Sequence, residues 1–422
     1  MKLPLLTIED VCSRQLCAGC GVCAAVEPQR FEMGEDLERG HRPFLRENAA
    51  EATGEAMACC PGVGLEHSQP PPEGAIDALA AGWGPVLEVW DACATDEAIR
   101  LAGSSGGVAT ALGVYLLEEG GFDGVIHTGS RNDAPYLNET VVSASRAALL
   151  EQAGSRYAPA SPCEVLGEIE QSEQRYAFIG KPCDVAATAK ACETRPSLAS
   201  SIGCTIAFFC AGTPSTQGTL ELLKRVGVDD PSTISSLRYR GNGWPGRWTV
   251  CFNDGTEQTS ELSYEESWGF LQRYRPWRCY ICPDHTGEFA DIAVGDAWYR
   301  TIEPGEPGNS LIVIRTQRGR EIVHAAAKAG FISLLRNDPT LLPRSQPNLL
   351  ETRGGLWMRL KVLRLFGAAV PRYRGFVLAR FWWSELSFKA KISSFTGTAK
   401  RVFKKGLRGR IVLRRFENGF RR

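Results

Sequence analysis

The chain has 422 residues, 43% of them apolar and 23% charged, with 48 basic side chains against 48 acidic ones. This composition excludes a fibre and a disordered chain, and 15 cysteines are too sparse for a disulfide scaffold. The start is acidic by Glu9 and Asp10 and no run of about 18 uncharged apolar residues occurs, so neither a secretory signal nor a membrane-spanning helix is expected, and the cytoplasm is the expected compartment.

Residues 1–67 are cysteine-rich and irregular, and Gln69-Pro70-Pro71-Pro72 reads as a stiff linker. An α/β segment spans residues 84–165. Val86–Trp90 is its first strand, and the small-residue turn Gly103-Ser104-Ser105-Gly106-Gly107 opens an apolar helix over Val108–Leu117. Gly120-Gly121 ends that helix, and Gly124–Thr128 returns as a strand. Strand, turn, helix and strand in this order predict a largely parallel sheet with covered faces. A second α/β segment, residues 166–350, has a strand at Tyr176–Ile179 running into Gly180-Lys181-Pro182-Cys183. An apolar run follows at Ile202–Cys210, then a hairpin over Leu237–Thr256 with turn residues Asn253-Asp254-Gly255. Helices are expected at Gly319–Gly330 and Leu356–Phe366.

Cysteines two residues apart close too small a loop for an ordinary disulfide, so that spacing points to metal or redox chemistry. Cys17-Ala18-Gly19-Cys20-Gly21-Val22-Cys23 has the spacing of a bacterial ferredoxin loop, in which each short gap curls the chain round one corner of a [4Fe-4S] cube. Glu27-Pro28 stands where a two-cluster ferredoxin has Cys-Pro, so the fourth ligand must be more distant. Cys60, followed by Pro61, is the candidate, with Cys59 as the alternative; a four-cysteine zinc site is the competing reading. Cys279-Tyr280-Ile281-Cys282 is weak by itself. It gains weight from Cys183 and Cys210, both at predicted strand ends, where an open α/β sheet gathers its ligands. Cys204 is the alternative to Cys210. Cys12, Cys93, Cys163, Cys192 and Cys251 read as small buried apolar residues, and His285 as a surface-turn residue.

The turn at 103–107 has the small residues and following helix of a phosphate cradle, without a Walker lysine or a nicotinamide-type fingerprint. Taken together, Cys17–Cys23 with Cys60-Pro61-Gly62, Gly103–Gly107 with Val108-Ala109-Thr110, Gly154-Ser155-Arg156-Tyr157, Gly180–Cys183, Phe209-Cys210, Arg240–Trp244, and Cys279–Cys282 continuing to Gly295-Asp296-Ala297-Trp298 resemble the coenzyme F420 hydrogenase/dehydrogenase beta subunits. That family is related to 7-hydroxymethyl chlorophyll a reductase and the iron–sulfur divinyl-chlorophyllide reductases. The resemblance implies a mixed α/β fold, with a ferredoxin-like N-terminal segment and two α/β segments enclosing FAD. Ser104, Ser105, Gly106, Gly107, Thr110, Asn138, Thr140, Ser155, Arg156 and Tyr157 would line the flavin, with Lys181 and Asp296 nearer its ring. Cys183, Cys210, Cys279 and Cys282 would hold a second [4Fe-4S] cluster. The implied activity is an oxidoreductase moving electrons between reduced coenzyme F420 or ferredoxin and a small organic substrate. A non-catalytic electron-transfer subunit of a larger complex is the alternative.

Charge is unevenly spread. Residues 352–422 hold 19 Lys or Arg against two Glu, leaving 29 basic and 46 acidic side chains in the rest. A basic tail interleaved with Trp and Phe suits the inner face of an anionic membrane; the competing reading is a helical tail docked on the acidic body, and nucleic acid is the least favoured partner.

Overall fold

The structure is a computed structural model that describes residues 4–416 apart from 261, 302, 304 and 305. The N-terminal segment starts with a helix at Ile8–Ser13, capped by the Thr7 hydroxyl on the Asp10 N–H. A two-stranded antiparallel ribbon follows, β1 (Phe31–Asp36) and β2 (Gly40–Leu45), then a one-turn helix Glu55–Cys59 and a short strand β3 (Gly64–Glu66).

One eight-stranded sheet organises the rest. Its strands in chain order are β4 (Glu88–Ala94), β5 (Gly124–Ser130), β6 (Asn138–Ser143), β7 (Tyr176–Gly180) and β8 (Ile202–Phe208). After a separate three-stranded sheet, β9 (Ile234–Arg238), β10 (Thr249–Phe252) and β11 (Glu257–Thr259), come β12 (Ile292–Asp296), β13 (Ser310–Ile314) and β14 (Ile332–Asn337). The spatial order is β14-β4-β13-β12-β8-β7-β5-β6, so strands from residues 84–165 and 166–350 interleave in a single sheet.

Only the middle of this sheet is parallel: β12, β8, β7 and β5 run together, whereas β6, β13, β4 and β14 join antiparallel. The prediction of a largely parallel sheet therefore holds for the centre alone. Between β12 and β13 no helix occurs among the described residues, and without a crossover helix a strand returns antiparallel beside its predecessor. The central strands are apolar runs buried on both faces, as in Tyr176–Gly180. The helix Val108–Glu118 buries Ala111, Leu112, Val114 and Leu116 completely between this sheet and its neighbours. The turn at 253–255 joins β10 to β11, not β9 to β10. Residues 239–248 are too irregular for a tight hairpin, with Gly241, Gly243 and Gly246 all at positive φ.

The tail docks on the body. Helices Leu356–Leu365, Leu378–Ser384 and Phe388–Lys404 pack together, and β15 (Arg372–Arg374) adds parallel to β3. Beyond them the chain returns to its start: the Ile411 N–H donates to Ser13 O at 2.8 Å, and Arg410 pairs with Asp10. Among the described residues no helix is long and apolar enough to cross a membrane.

One link between tail and body is buried. Glu288 accepts from Arg353 and lies 2.9 Å from His67 Nε2. Burial alone would raise its pKa, but Arg353, His67 and Arg315 outweigh it and hold Glu288 at about 2, below the ordinary ~4.3. A depressed carboxyl contributes its stability above the unfolded value and loses it as pH falls. We therefore expect the wild type to lose stability progressively from about pH 5 toward pH 2. Glu288→Gln should cost about 3–5 kcal/mol at neutral pH, by leaving Arg353 buried without its charge partner, and should flatten that acid limb. Thermal denaturation across pH checks both.

Candidate functional site: two thiol nests and a cleft at the sheet edge

The first nest is built by the N-terminal segment. Gly19 and Gly21 adopt left-handed φ, which curls the Cys17–Cys23 loop; a Cβ on Gly19 would lie 2.7 Å from His41 O. Cys17, Cys20, Cys23 and Cys60 are all buried, and the Cys17, Cys20 and Cys60 thiols each disfavour ionisation of Cys23. Cys60 thus faces the loop. Its neighbour Cys59 is turned away, 3.5 Å from Thr194 Oγ1 and 3.9 Å from Lys190 O on the next helix. A hydrogen bond from Cys12, with Arg42, the Gly19 N–H and Arg278, overrides burial and brings Cys17 down to about 6, whereas burial pushes Cys60 up to about 12. Two cysteines read from sequence as plain core residues belong to this nest: Cys12 contacts Cys17, and Cys163 contacts Cys20. No spacing signal marked them, because their proximity comes from tertiary packing.

The second nest sits at the C-terminal ends of the parallel strands. Cys183 opens the helix after β7, Cys210 follows β8, and before β12 the one-turn helix Trp277–Tyr280 supplies Cys279 and the loop after it Cys282. Cys210 raises the pKa of Cys183, and both Cys279 and Cys282 raise that of Cys210, which burial drives to about 12. Cys204, by contrast, lies within β8 and is sealed in the core near Asp291. His285 is not on a surface turn. It is 6% exposed, its Nδ1 lies 2.9 Å from Cys210 O, and burial pushes its pKa down to about 4.

The two nests share one small cavity, lined by Cys17 on one side and by Cys183, Cys210, Cys279 and Cys282 on the other. Arg278 also lines it. This guanidinium is 3% exposed, donates to Pro61 O at 3.2 Å, forms no ion pair with a carboxylate among the described residues, and has an unpartnered Nε. Its charge favours ionisation of Cys17 in one nest and Cys282 in the other. Sequence reading passed over it, since an arginine beside a Cys-x-x-Cys carries no motif.

The cleft is a cavity of about 300 Å³ along the same sheet edge. Ser104, Ser105, Gly107, Thr110, Ser155, Arg156, Tyr157, Lys181 and Asp296 line it, together with Cys210. Gly106, Asn138 and Thr140 do not. Gly106 donates its N–H to Ser310 Oγ at 2.9 Å, Asn138 donates to Ala158 O at 3.0 Å, and Thr140 bonds Glu164 at 2.8 Å, so all three brace the walls from behind. Lys181 is mostly buried, with its Nζ 2.6 Å from Asp184. Burial opposes its charge, but Asp184 and the nearby Cys183 and Cys210 hold its pKa above the ordinary lysine value. Asp296 accepts from Arg240 at 2.8 and 3.0 Å and from Trp244 Nε1 at 3.0 Å. Arg240 in turn lies over the Tyr264 ring, which stacks on Trp298 at 5.7 Å. These aromatic walls come from the 240–298 region and are set by packing that no local pattern encodes.

Two family models match the chain, both for the coenzyme F420 hydrogenase/dehydrogenase beta subunit: its N-terminal part over residues 89–166, and its C terminus over residues 173–339. The chain belongs to this family. The coenzyme F420 hydrogenase subunit beta of Methanosarcina barkeri is 26% identical over 244 residues, covering 56% of this chain and 77% of the relative. The F420-dependent formate dehydrogenase 1 subunit beta of Methanococcus maripaludis is also 26% identical, over 60% of this chain and 62% of its own length. A chain in the solved F420-reducing [NiFe] hydrogenase complex from Methanosarcina barkeri shares the fold, with a TM-score of 0.52 at 23% identity. That match covers 68% of this chain and 96% of that one. These relatives are subunits of F420-dependent oxidoreductases, and both family matches end before the basic tail.

Whether the nests suit clusters can be asked of their own chemistry. Among the described residues no three His, Cys, Asp or Glu side chains converge as a single metal ion requires. Within the nests Cys23, Cys60, Cys183 and Cys210 are each pushed up by burial and by neighbouring thiols, a conflict that an iron core would relieve by deprotonating its ligands outright. The donor set fits.

Proposed function

We propose that the chain is an FAD- and [4Fe-4S]-dependent oxidoreductase exchanging electrons between reduced coenzyme F420 or ferredoxin and a small organic substrate. The observation that carries this reading is continuity: Cys210, Gly212 and Thr213 line both the cleft and the cavity between the nests. A flavin in the cleft would convert a two-electron hydride into single electrons that a cubane cluster can carry. In this reading Cys17, Cys20, Cys23 and Cys60 hold one cluster, and Cys183, Cys210, Cys279 and Cys282 hold the other.

The cleft residues then divide the work. Ser104, Ser105 and Gly107 offer small side chains and backbone before the helix at Val108, suited to a pyrophosphate. Lys181 places a buried cation between the cleft and Cys183, where it favours an anionic group on the cleft side. Arg240 fixes the Asp296 carboxylate against Trp244, so that its direction is set before any ligand binds. Anaerobically purified protein should contain flavin, iron and acid-labile sulfide, and reduced coenzyme F420 should bleach its visible bands. Protein lacking sulfide, or left unbleached by both F420 and dithionite, removes the proposal.

The relatives, which are beta subunits, favour a second reading as an electron-transfer subunit within a larger assembly. Native purification distinguishes the two. A complex with a separate catalytic partner supports this reading, and an isolated chain that turns over substrate supports the first.

A further inference from the structure

Outside both family matches, the tail presents an apolar face that stays largely exposed among the described residues, with Phe403 meeting the Phe366 ring edge-on at 5.4 Å. The helix Phe388–Lys404 turns Ser394, Thr398 and Val402 inward. On its outer side Phe388, Ile392, Phe395 and Phe403 are exposed, from 42% at Phe395 to 78% at Phe388. At 100° per residue these four fall within a sector of about 80°, a single stripe about 22 Å long. Trp383, 64% exposed, continues the patch beside Lys391, and Leu365, 71% exposed, extends it from the end of the neighbouring helix.

The charge beside the stripe has one sign. Residues 386–416 contain ten Lys or Arg and no Asp or Glu. Lys389, Lys400 and Lys404 lie together along one side of the stripe, are exposed, and form no ion pair among the described residues. Docking on the acidic body uses other groups: Arg410 pairs with Asp10 and Arg415 with Glu32. The basic excess on the outer face is therefore unspent by folding.

We infer that this face lies on the surface of a bilayer containing anionic lipid, with the aromatic stripe in the headgroup boundary and the lysines reaching phosphates. An exposed aromatic stripe beside lysines on one helix is the pattern of an interfacial helix, which combines apolar burial with attraction to anionic headgroups. A second copy meeting it face to face would bring an equally basic surface, which repels. The inference does not depend on which electron carrier the cleft serves.

The test uses the full chain and phosphatidylcholine vesicles with or without phosphatidylglycerol. Co-sedimentation should require the anionic lipid and weaken with salt. Phe388→Ser combined with Ile392→Ser and Phe395→Ser should lower partitioning about tenfold or more. Lys389→Glu with Lys400→Glu and Lys404→Glu should abolish the preference for anionic vesicles. All six positions are exposed or at the surface, so unchanged thermal melting should accompany both effects. Absence of binding at low salt overturns the inference, as does binding that survives both triple variants. Loss of self-association, or of an acidic protein partner, in place of lipid binding would overturn it in favour of a protein interface.

Discussion

Cys60→Ser should remove about half of the acid-labile sulfide from anaerobically prepared protein, whereas Cys59→Ser should leave it unchanged. The two residues are adjacent, yet the one-turn helix Glu55–Cys59 ends between them, and Cys60 leaves it in an extended conformation at ψ 118°. That change of direction points Cys60 at the Cys17 loop, while Cys59 stays beneath the helix that carries Lys190 and Thr194. A serine at Cys59 loses only a buried thiol contact. A serine at Cys60 is a poor iron ligand in a nest with no spare thiol on its side, and Cys12 and Cys163 sit against Cys17 and Cys20 instead. Iron and sulfide analysis of both variants, with electron paramagnetic resonance of the reduced proteins, reads the outcome. Equal loss in both, or in neither, contradicts the assignment.

Arg278→Met should lower the reduction potential of both proposed clusters by on the order of 100 mV. The guanidinium lies on the wall of the cavity between the nests, buried and without a carboxylate partner. One positive charge at a separation on the order of 8 Å, with an effective dielectric constant of about 20, stabilises an added electron by about 2 kcal/mol. That energy corresponds to roughly 90 mV for a one-electron couple. Removing a charge felt on both sides should shift both potentials in the same direction, whereas a change near one nest alone would move only one. Methionine keeps the volume and apolar stem. Arg278→Lys should restore most of each potential if charge is responsible, although the bond to Pro61 O will not be reproduced in full. Redox titration monitored by electron paramagnetic resonance separates these outcomes, and unchanged potentials would show that the charge is screened.

Much of the site was legible because its parts are local. The Cys17–Cys23 loop, the Cys279–Cys282 pair and the small-residue turn at 103–107 each carry their spacing in a few consecutive residues. The helix at Val108 and the strand at Tyr176 followed from apolar runs bounded by glycine. What was not legible depends on contacts between distant segments. β4 inserts between β13 and β14, an exchange that no strand's own pattern reveals. Cys12 and Cys163 resembled ordinary core cysteines because burial and proximity to a thiol loop leave the same composition. Asn138 and Thr140 were assigned by family likeness to the cleft wall, but the side chains turn to Ala158 O and Glu164 behind it. Arg278 and Arg240 gain their meaning only from burial, which single arginines seldom advertise.

The return of residues 405–411 to the opening helix bears on biosynthesis. Lys405 O accepts from Gln15 Nε2 at 3.1 Å and Ile411 donates to Ser13 O, just before the Cys17 loop. The ribosome emits those two halves of the clasp almost 400 residues apart. The contacts that clasp the opening helix ahead of the first nest can therefore form only once residues 405–411 have been made.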